Sequence, residues 1–237
     1  MTRFPNKELA CSVITAHIAE SLGFSNRKDI YKYYNGRGSF FLPKYIDFDN
    51  HFLSQINNKQ LIHFPKNDLE SDLPISGEAV LSKSTIAKGD SKGKNQYKGS
   101  NFDTGHILGH SLIGNIESYD SSRSNSKNIF PQSDWANEGT FSLSSNVGVN
   151  QTAIEQLIRT KIQSKKSPED IMVYYKVNLI YGSNERVPRF IHIQAVSNYP
   201  SIIRNQNVLI PNVTNSYEID YHFWYSSKNM KNAVSHE

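Results

Sequence analysis

The clearest pattern along the chain is in residues 146–166. Val149, Ala153, Ile154, Leu157, Ile158 and Ile162 recur at helical spacing and form one apolar face. Gln151, Glu155 and Arg159 follow one another at i, i+4, i+8 on its flank, and Ser167-Pro168 ends the helix. A second helical pattern covers residues 5–22. Pro5 can start it, Ala10, Val13, Ile14, Ile18 and Leu22 give it an apolar face, and Gly23 suits a left-handed stop. Residues 79–87, Ala79-Val80-Leu81 followed by Ser84-Thr85-Ile86-Ala87, read as a strand that runs into the turn residues Gly89-Asp90-Ser91-Lys92-Gly93. A second strand is expected to approach Asp103 and to carry His106 at its end. Residues 171–181, 189–196, 207–213 and 217–225 are rich in β-branched and aromatic residues and separated by turn residues, which predicts four strands of an antiparallel sheet. Helices and strands of this kind give a mixed α+β fold. With no repeat, low-complexity tract or linker, one domain over residues 1–237 is expected. Its core spans residues 73–225, and a helix and an aromatic-rich covering segment make up residues 1–70.

Charge changes this picture locally. Lysine plus arginine number 26 against 22 acids, a formal excess of only +4. Residues 83–98 contain Lys83, Lys88, Lys92, Lys94 and Lys98 against Asp90 alone, so this segment carries as much positive charge as the whole chain. A polyanion would be attracted there; the plainer alternative is a solvated lysine loop. Residues 27–64 mix basic residues with Tyr31, Tyr33, Tyr34, Phe40, Phe41, Tyr45, Phe48, Phe52 and Phe64. Such a mixture can stack bases, but it equally describes a layer covering the core. The one cysteine, Cys11, excludes an internal disulfide and a cysteine zinc cluster. No apolar run reaches the ~20 residues that span a bilayer, so no membrane is expected as a partner. Residues 10–22 are interrupted by His17 and Glu20 and do not read as a signal peptide, so an exported protein would begin near its mature end in this numbering.

The chemistry is concentrated in residues 101–137. These hold Asp103-Thr104-Gly105-His106, then a polar loop, then Asn128-Ile129-Phe130-Pro131-Gln132 and Trp135-Ala136-Asn137. Asn128 stands nine residues before Asn137, and His106 stands 31 before it. Ser133 is a candidate N-cap for a helix over Trp135 and Asn137. This ordered set resembles the DNA/RNA non-specific endonucleases of the ββα-metal group. The wording GHILGHSLIG followed by KNIFPQSDWAN is most similar to their secreted streptococcal branch, the streptodornases. The resemblance covers residues 73–225. It implies a finger of two short strands and the 135–137 helix, a secreted virulence factor, and endonuclease activity on DNA and RNA by a monomer.

The resemblance also assigns roles. His106 stands where the family has its catalytic histidine, and a largely neutral imidazole suits a general base. Asn137 matches the asparagine that binds the metal, expected to be Mg²⁺ or another divalent cation such as Mn²⁺ or Ca²⁺. Asn128 matches the first family asparagine and is expected to orient the loop carrying His106, while Asp103 braces that loop. Glu155 is the best position for a family carboxylate that holds metal-bound waters; the alternative is a helix-surface pair with Arg159. Two arginines of the pattern are missing. The motif's arginine is Thr104, and an upstream Leu-Gly-Arg element corresponds to Ile75-Ser76-Gly77-Glu78. Arg123, Lys127 and Lys98 are therefore the candidates for gripping phosphate, with Arg37, between Gly36 and Gly38, as a further one. His106 and His110 at i, i+4 would form a zinc pair if both lay on one helix, a reading that Gly109 disfavours. A catalytically weak nucleic-acid-binding protein on the same fold is the alternative to an enzyme. An exported adhesin would account for the aromatic N-terminus but not for the motif.

Overall fold

A computed structural model describes residues 4–43, 62–63, 73–88, 96–97, 102–116, 119–120, 122–123, 125–138, 148–214 and 218–223. The N-terminal pattern is not one helix but two. Helix α1 (Lys7–Ser12) is capped by Asn6, whose side chain accepts the Leu9 N–H, and α2 (Ala16–Ser21) is capped in the same way by Thr15 at Ile18. The break at Val13-Ile14 follows from Thr15: its side chain stabilises a new helix start in place of a continuing turn. Gly23 takes the expected left-handed conformation, with φ of 77°. A short helix α3 (Lys28–Tyr31) follows.

Six strands form one antiparallel sheet in the order β1-β8-β7-β6-β3-β2. They are β1 (Phe40–Phe41), β2 (Ile62–His63), β3 (Ser76–Leu81), β6 (Val173–Ile180), β7 (Phe190–Ser197) and β8 (Gln206–Pro211). The second sheet pairs β4 (Asp103–His106) with β5 (Ile129–Gln132). Between these two strands lies helix α4 (His110–Ile113), and after them come α5 (Asp134–Asn137) and α6 (Gln151–Gln163). The α+β class and central antiparallel sheet agree with the pattern of the sequence.

Several boundaries differ from expectation. Strand β3 ends at Leu81, because Ser82 and Thr85 close a local turn: the Ser82 N–H donates to Thr85 Oγ1 at 3.1 Å and the Thr85 N–H to the Ser82 carbonyl at 3.2 Å. β3 then pairs with β6, from Ser76 opposite Asn178 to Leu81 opposite Val173, and so belongs to the large sheet. The finger's second strand is instead β5, which contains Pro131, a residue tolerated where no continuous ladder demands its missing N–H. Helix α6 is shorter than its pattern, starting after the Asn150 cap and ending at Gln163, before Ser167-Pro168. Residues 218–223 form no strand.

Alternation along the strands separates two faces. Ala79, Leu81, Val173, Tyr175, Val177, Ile191, Ile193, Val208 and Ile210 turn to the side where Ile154, Ile158 and Ile162 of α6 pack. Each such buried isoleucine contributes about 1.5–3 kcal/mol. Leu157 lies off this stripe and is 45% exposed. Phe190 and Leu209 point the other way and pack with Ala10, Ile14, Ile18 and Ile30 of the N-terminal helices. That contact makes the aromatic segment a covering layer in part, although Phe41 is 48% exposed. Tyr45, Phe48, Phe52 and Phe64 lie outside the described residues. Among the described residues no helix is long and apolar enough to cross a membrane.

Candidate active site

The site is built where β4 ends and the chain turns towards β5. In β4, Gly105 faces Phe130 across the ladder and His106 faces Ile129. A Cβ on Gly105 would fall on the Gln132 side chain, so glycine is what lets the two strands close over that amide. After His106 the chain leaves the sheet, and Asn128 holds it. The Asn128 carbonyl accepts the Ile107 N–H at 2.8 Å, its Oδ1 accepts the Leu108 N–H at 2.8 Å, and its Nδ2 donates to the Leu108 carbonyl at 3.0 Å. Asn128 is fully buried, so these bonds are made away from water.

From behind, α6 fixes the same turn. Gln151 Nε2 donates to the His106 carbonyl at 2.6 Å and to Glu155 Oε1 at 2.9 Å, while Gln151 Oε1 accepts from Gln132 Nε2 at 3.0 Å. Glu155 does not sit on an exposed flank or pair with Arg159. It is buried, accepts a 3.3 Å bond from the Tyr175 hydroxyl, and lies so close to Gly109 that a Cβ there would collide with its carboxyl. Burial raises its pKa to about 7 against the hydrogen bonds from Gln151, Tyr175 and Gly109. Arg159 instead donates to the Ala87 carbonyl at 3.3 Å. The residues missed in the sequence, Gln132, Gln151 and Tyr175, are buried polar groups on the inner faces of their elements; in one dimension they look like ordinary flank or strand residues.

The His106 imidazole is half-buried, and its Nε2 is buried without a hydrogen-bond partner. Its pKa is lowered to about 4, first by desolvation and then by the charges of Arg123 and His110. The ring is therefore neutral at pH 7 and can accept a proton. His106 ends a strand whereas His110 opens a helix, so the two do not form a helical zinc pair.

Helix α5 carries Asn137 as its last residue. Ser133 caps the helix as expected, accepting the Ala136 N–H at 3.2 Å. Two further asparagines tie the finger to the body. Asn212 accepts the Ser133 N–H at 2.8 Å and donates to the Pro131 and Pro188 carbonyls, and Asn150 donates to the Trp135 carbonyl at 3.1 Å. Asn137 is half-buried. Among the described residues no three of His, Cys, Asp and Glu come together as a metal cage. A lone amide oxygen at the end of α5 is a donor that fits a hard cation keeping most of its water shell.

The candidate phosphate contacts separate. Arg123 is close enough to depress the His106 pKa, whereas Lys127 is exposed and does not figure in that shift. Arg37 lies on a turn with positive φ at Gly36 (74°) and Gly38 (92°). That turn packs on Trp135 of α5, where a Cβ on Gly38 would meet the indole, and the Arg37 carbonyl accepts the Val149 N–H at 2.9 Å. Folding thus brings Arg37 near the helix of Asn137. Lys83 is engaged elsewhere, with Glu169 at 2.6 Å, and Lys88 is exposed. Lys92, Lys94 and Lys98 lie outside the described residues. Thr104, in the arginine position, is 5% exposed and its Oγ1 accepts the Gln96 N–H at 2.7 Å. Glu78, in the other arginine position, is buried on the sheet face away from α6, where it is bonded to the Tyr174 hydroxyl and lies 3.5 Å from Lys176.

Comparison with known proteins bears on the family and the fold. The family model described as DNA/RNA non-specific endonuclease matches residues 81–232. Among solved structures, NucA from Streptococcus agalactiae with magnesium bound superposes with a TM-score of 0.56 at 22% identity, covering 68% of this chain and 74% of that one. The metal-free form of the same nuclease gives 0.55 at 23% identity, with the same coverage. Sda1 nuclease with bound zinc gives 0.52 at 17% identity, covering 68% of this chain and 77% of that one.

Proposed function

The chain belongs to the DNA/RNA non-specific endonuclease family, and we propose that it is an exported, Mg²⁺-dependent endonuclease of low sequence specificity. Its substrate is DNA, with RNA as a second substrate. It works as a monomer within one domain; the pairing of N-terminal Phe40 with Leu209 in one sheet supports that unity. Export follows the likeness of the motif to the secreted streptococcal branch.

One observation carries the catalytic reading: at the end of β4, His106 has a neutral imidazole whose buried Nε2 has no hydrogen-bond partner. In the proposed mechanism that nitrogen takes the proton of an attacking water, and the water oxygen bonds to phosphorus as the leaving oxygen departs. Asn137 would hold the hydrated cation, which when bound would supply charge neutralisation on the phosphate. Asn128 and Gln151 hold the backbone on either side of His106, so the ring is already placed when substrate arrives. Glu155, buried under Gly109, is assigned to bracing this turn. Arg123 and Arg37 replace the missing arginines as phosphate contacts, with Lys127 and Lys98 as secondary ones.

A plasmid-nicking assay tests the proposal. Cleavage is expected with Mg²⁺, with Mn²⁺ and Ca²⁺ as comparisons, and is expected to stop with EDTA and with His106→Ala. Cleavage that persists in EDTA, or that His106→Ala leaves within a few-fold of wild type, refutes it. The second reading, a weakly catalytic nucleic-acid-binding protein, draws on the burial of both Thr104 and Glu78 at the arginine positions. It predicts salt-dependent binding without nicking in the same samples.

A further inference from the structure

Among the described residues, the sheet face away from α6 packs against the N-terminal helices at Phe190 and Leu209 and is polar beside that contact. Along adjacent strands it carries Ser76, Asn178 and His192 in one row and Glu78, Lys176, Gln194 and Asn207 in the next. A cavity of about 800 Å³ opens over these rows, within the range of small-molecule sites. Its floor includes Asn178, His192, Gln194 and Asn207, and its far wall is formed by Asp29 of α3 with Phe24, Lys32 and Tyr33 on either side of that helix.

Three features of this cavity point to a ligand and to its kind. First, Gln194, which lines the cavity, is 1% exposed and its Oε1 has no hydrogen-bond partner, so the floor carries a buried, unsatisfied acceptor. Second, the floor is neutral. His192 Nε2 lies 2.7 Å from Asn207 Oδ1, and the neighbouring Lys176 is held by Glu78 at 3.5 Å. Amides of this kind match a neutral edge bearing both donors and acceptors, not a phosphate. Third, the wall is aromatic: the Phe24 and Tyr33 rings stand 5.9 Å apart at 51°, with Lys32 Nζ 5.4 Å from the Tyr33 ring. Rings offer stacking to a flat ligand, and the rim lysine is paired with Asp29 at 3.8 Å, so this wall adds no net charge.

We propose that this cavity is a second nucleic-acid site that takes a single nucleobase, with its edge on Gln194 and Asn178 and its face against Tyr33 and Phe24. The base comes either from a mononucleotide or from an unpaired position of a strand. The six-stranded sheet separates this cavity from His106, so the site is independent of the catalytic reading.

The test is solution NMR of the ¹⁵N-labelled full chain in EDTA, which suppresses cleavage. The probes are thymidine 5′-monophosphate, ribose 5-phosphate and octathymidylate. Thymidine monophosphate is expected to shift the side-chain amides of Gln194 and Asn178 and the backbone of residues 21–33, and ribose 5-phosphate is expected to leave them in place. Gln194→Met and Tyr33→Ala are each expected to weaken binding about tenfold. An otherwise unchanged spectrum shows that the fold is retained. If octathymidylate shifts the same signals at lower concentration, the base belongs to a strand; if it does not while the monophosphate does, the ligand is the mononucleotide. The proposal is overturned if millimolar monophosphate leaves these signals unmoved, if ribose 5-phosphate matches it, or if shifts appear only around His106 and Asn137. Should Gln194→Met fail to fold, Tyr33→Ala decides alone, and unchanged affinity in that variant overturns the proposal.

Discussion

Asn128 and Leu108 exchange two hydrogen bonds, from the Leu108 N–H to Oδ1 at 2.8 Å and from Nδ2 to the Leu108 carbonyl at 3.0 Å. One side chain thereby reproduces a stretch of β-ladder where the strand carrying His106 has already ended. Asn128→Ala leaves both Leu108 groups buried and unpaired, which costs about 1–3 kcal/mol for each. The expected result is a lower melting temperature and a lower kcat, with nucleic-acid affinity in EDTA close to wild type. An unchanged kcat in a folded variant would remove Asn128 from the positioning of His106.

His106→Ala is expected to reduce the cleavage rate by roughly 10²–10⁴ while binding persists. The wild-type pH profile carries a second signature. With a folded pKa near 4, His106 stays neutral well below the ordinary histidine value of 6.5, so its acid limb should fall near pH 4 rather than 6.5. Because that pKa is depressed, the folded state loses stability as pH drops from 6.5 towards 4, where the unfolded chain takes up the proton first. Arg123→Ala removes a like charge and should move the acid limb upward. A limb centred at 6.5 in the wild type would contradict the burial of the ring.

Asn137→Ala should raise the Mg²⁺ concentration needed for half-maximal rate, since the only proposed side-chain ligand of a hydrated ion is lost. The check is a metal titration of initial rates. An unaltered midpoint would move the metal away from α5.

Thr104→Arg puts back the family's arginine in the motif, but Thr104 is covered and holds the Gln96 N–H. The substitution should lower thermal stability and leave kcat/KM no higher than wild type; a clear gain in kcat/KM would show that the pocket opens. Arg123→Ala should lower kcat/KM and flatten the salt dependence of binding by about one unit of slope. Lys127→Ala, at an exposed position, should change both much less.

Glu155→Gln tests the brace under the loop. The Glu155 pKa is raised from 4.5 to about 7, so the folded state holds its proton more tightly than the unfolded chain and loses stability as pH rises through this window. The full loss, on the order of 3 kcal/mol, is present above pH 7. Urea unfolding at pH 5 and pH 8 should show the variant gaining on the wild type at the higher pH. Equal pH dependence in the two proteins would mean that the carboxyl is already ionised and compensated.

The sequence by itself determined the local chemistry and most of the elements. The apolar stripe of α6, the Ser133 cap, the left-handed Gly23 and the strands containing residues 173–180, 190–197 and 206–211 follow from periodicity and turn residues, which act over a few neighbours. The ordered motif from Asp103 to Asn137 pointed to the family for the same reason: its spacing is set within one short segment. What the sequence did not determine depends on contacts between distant residues. Ser76–Leu81 and Ile129–Gln132 are both short strands, and only their pairing with Val173–Ile180 and Asp103–His106 decides which sheet each joins. Gln151 and Glu155 read as a polar flank because helical spacing shows an angle around the axis and not what packs there. The tertiary fold places the His106 carbonyl and the Tyr175 hydroxyl against them, and burial then turns an ordinary carboxylate into one that titrates near neutrality.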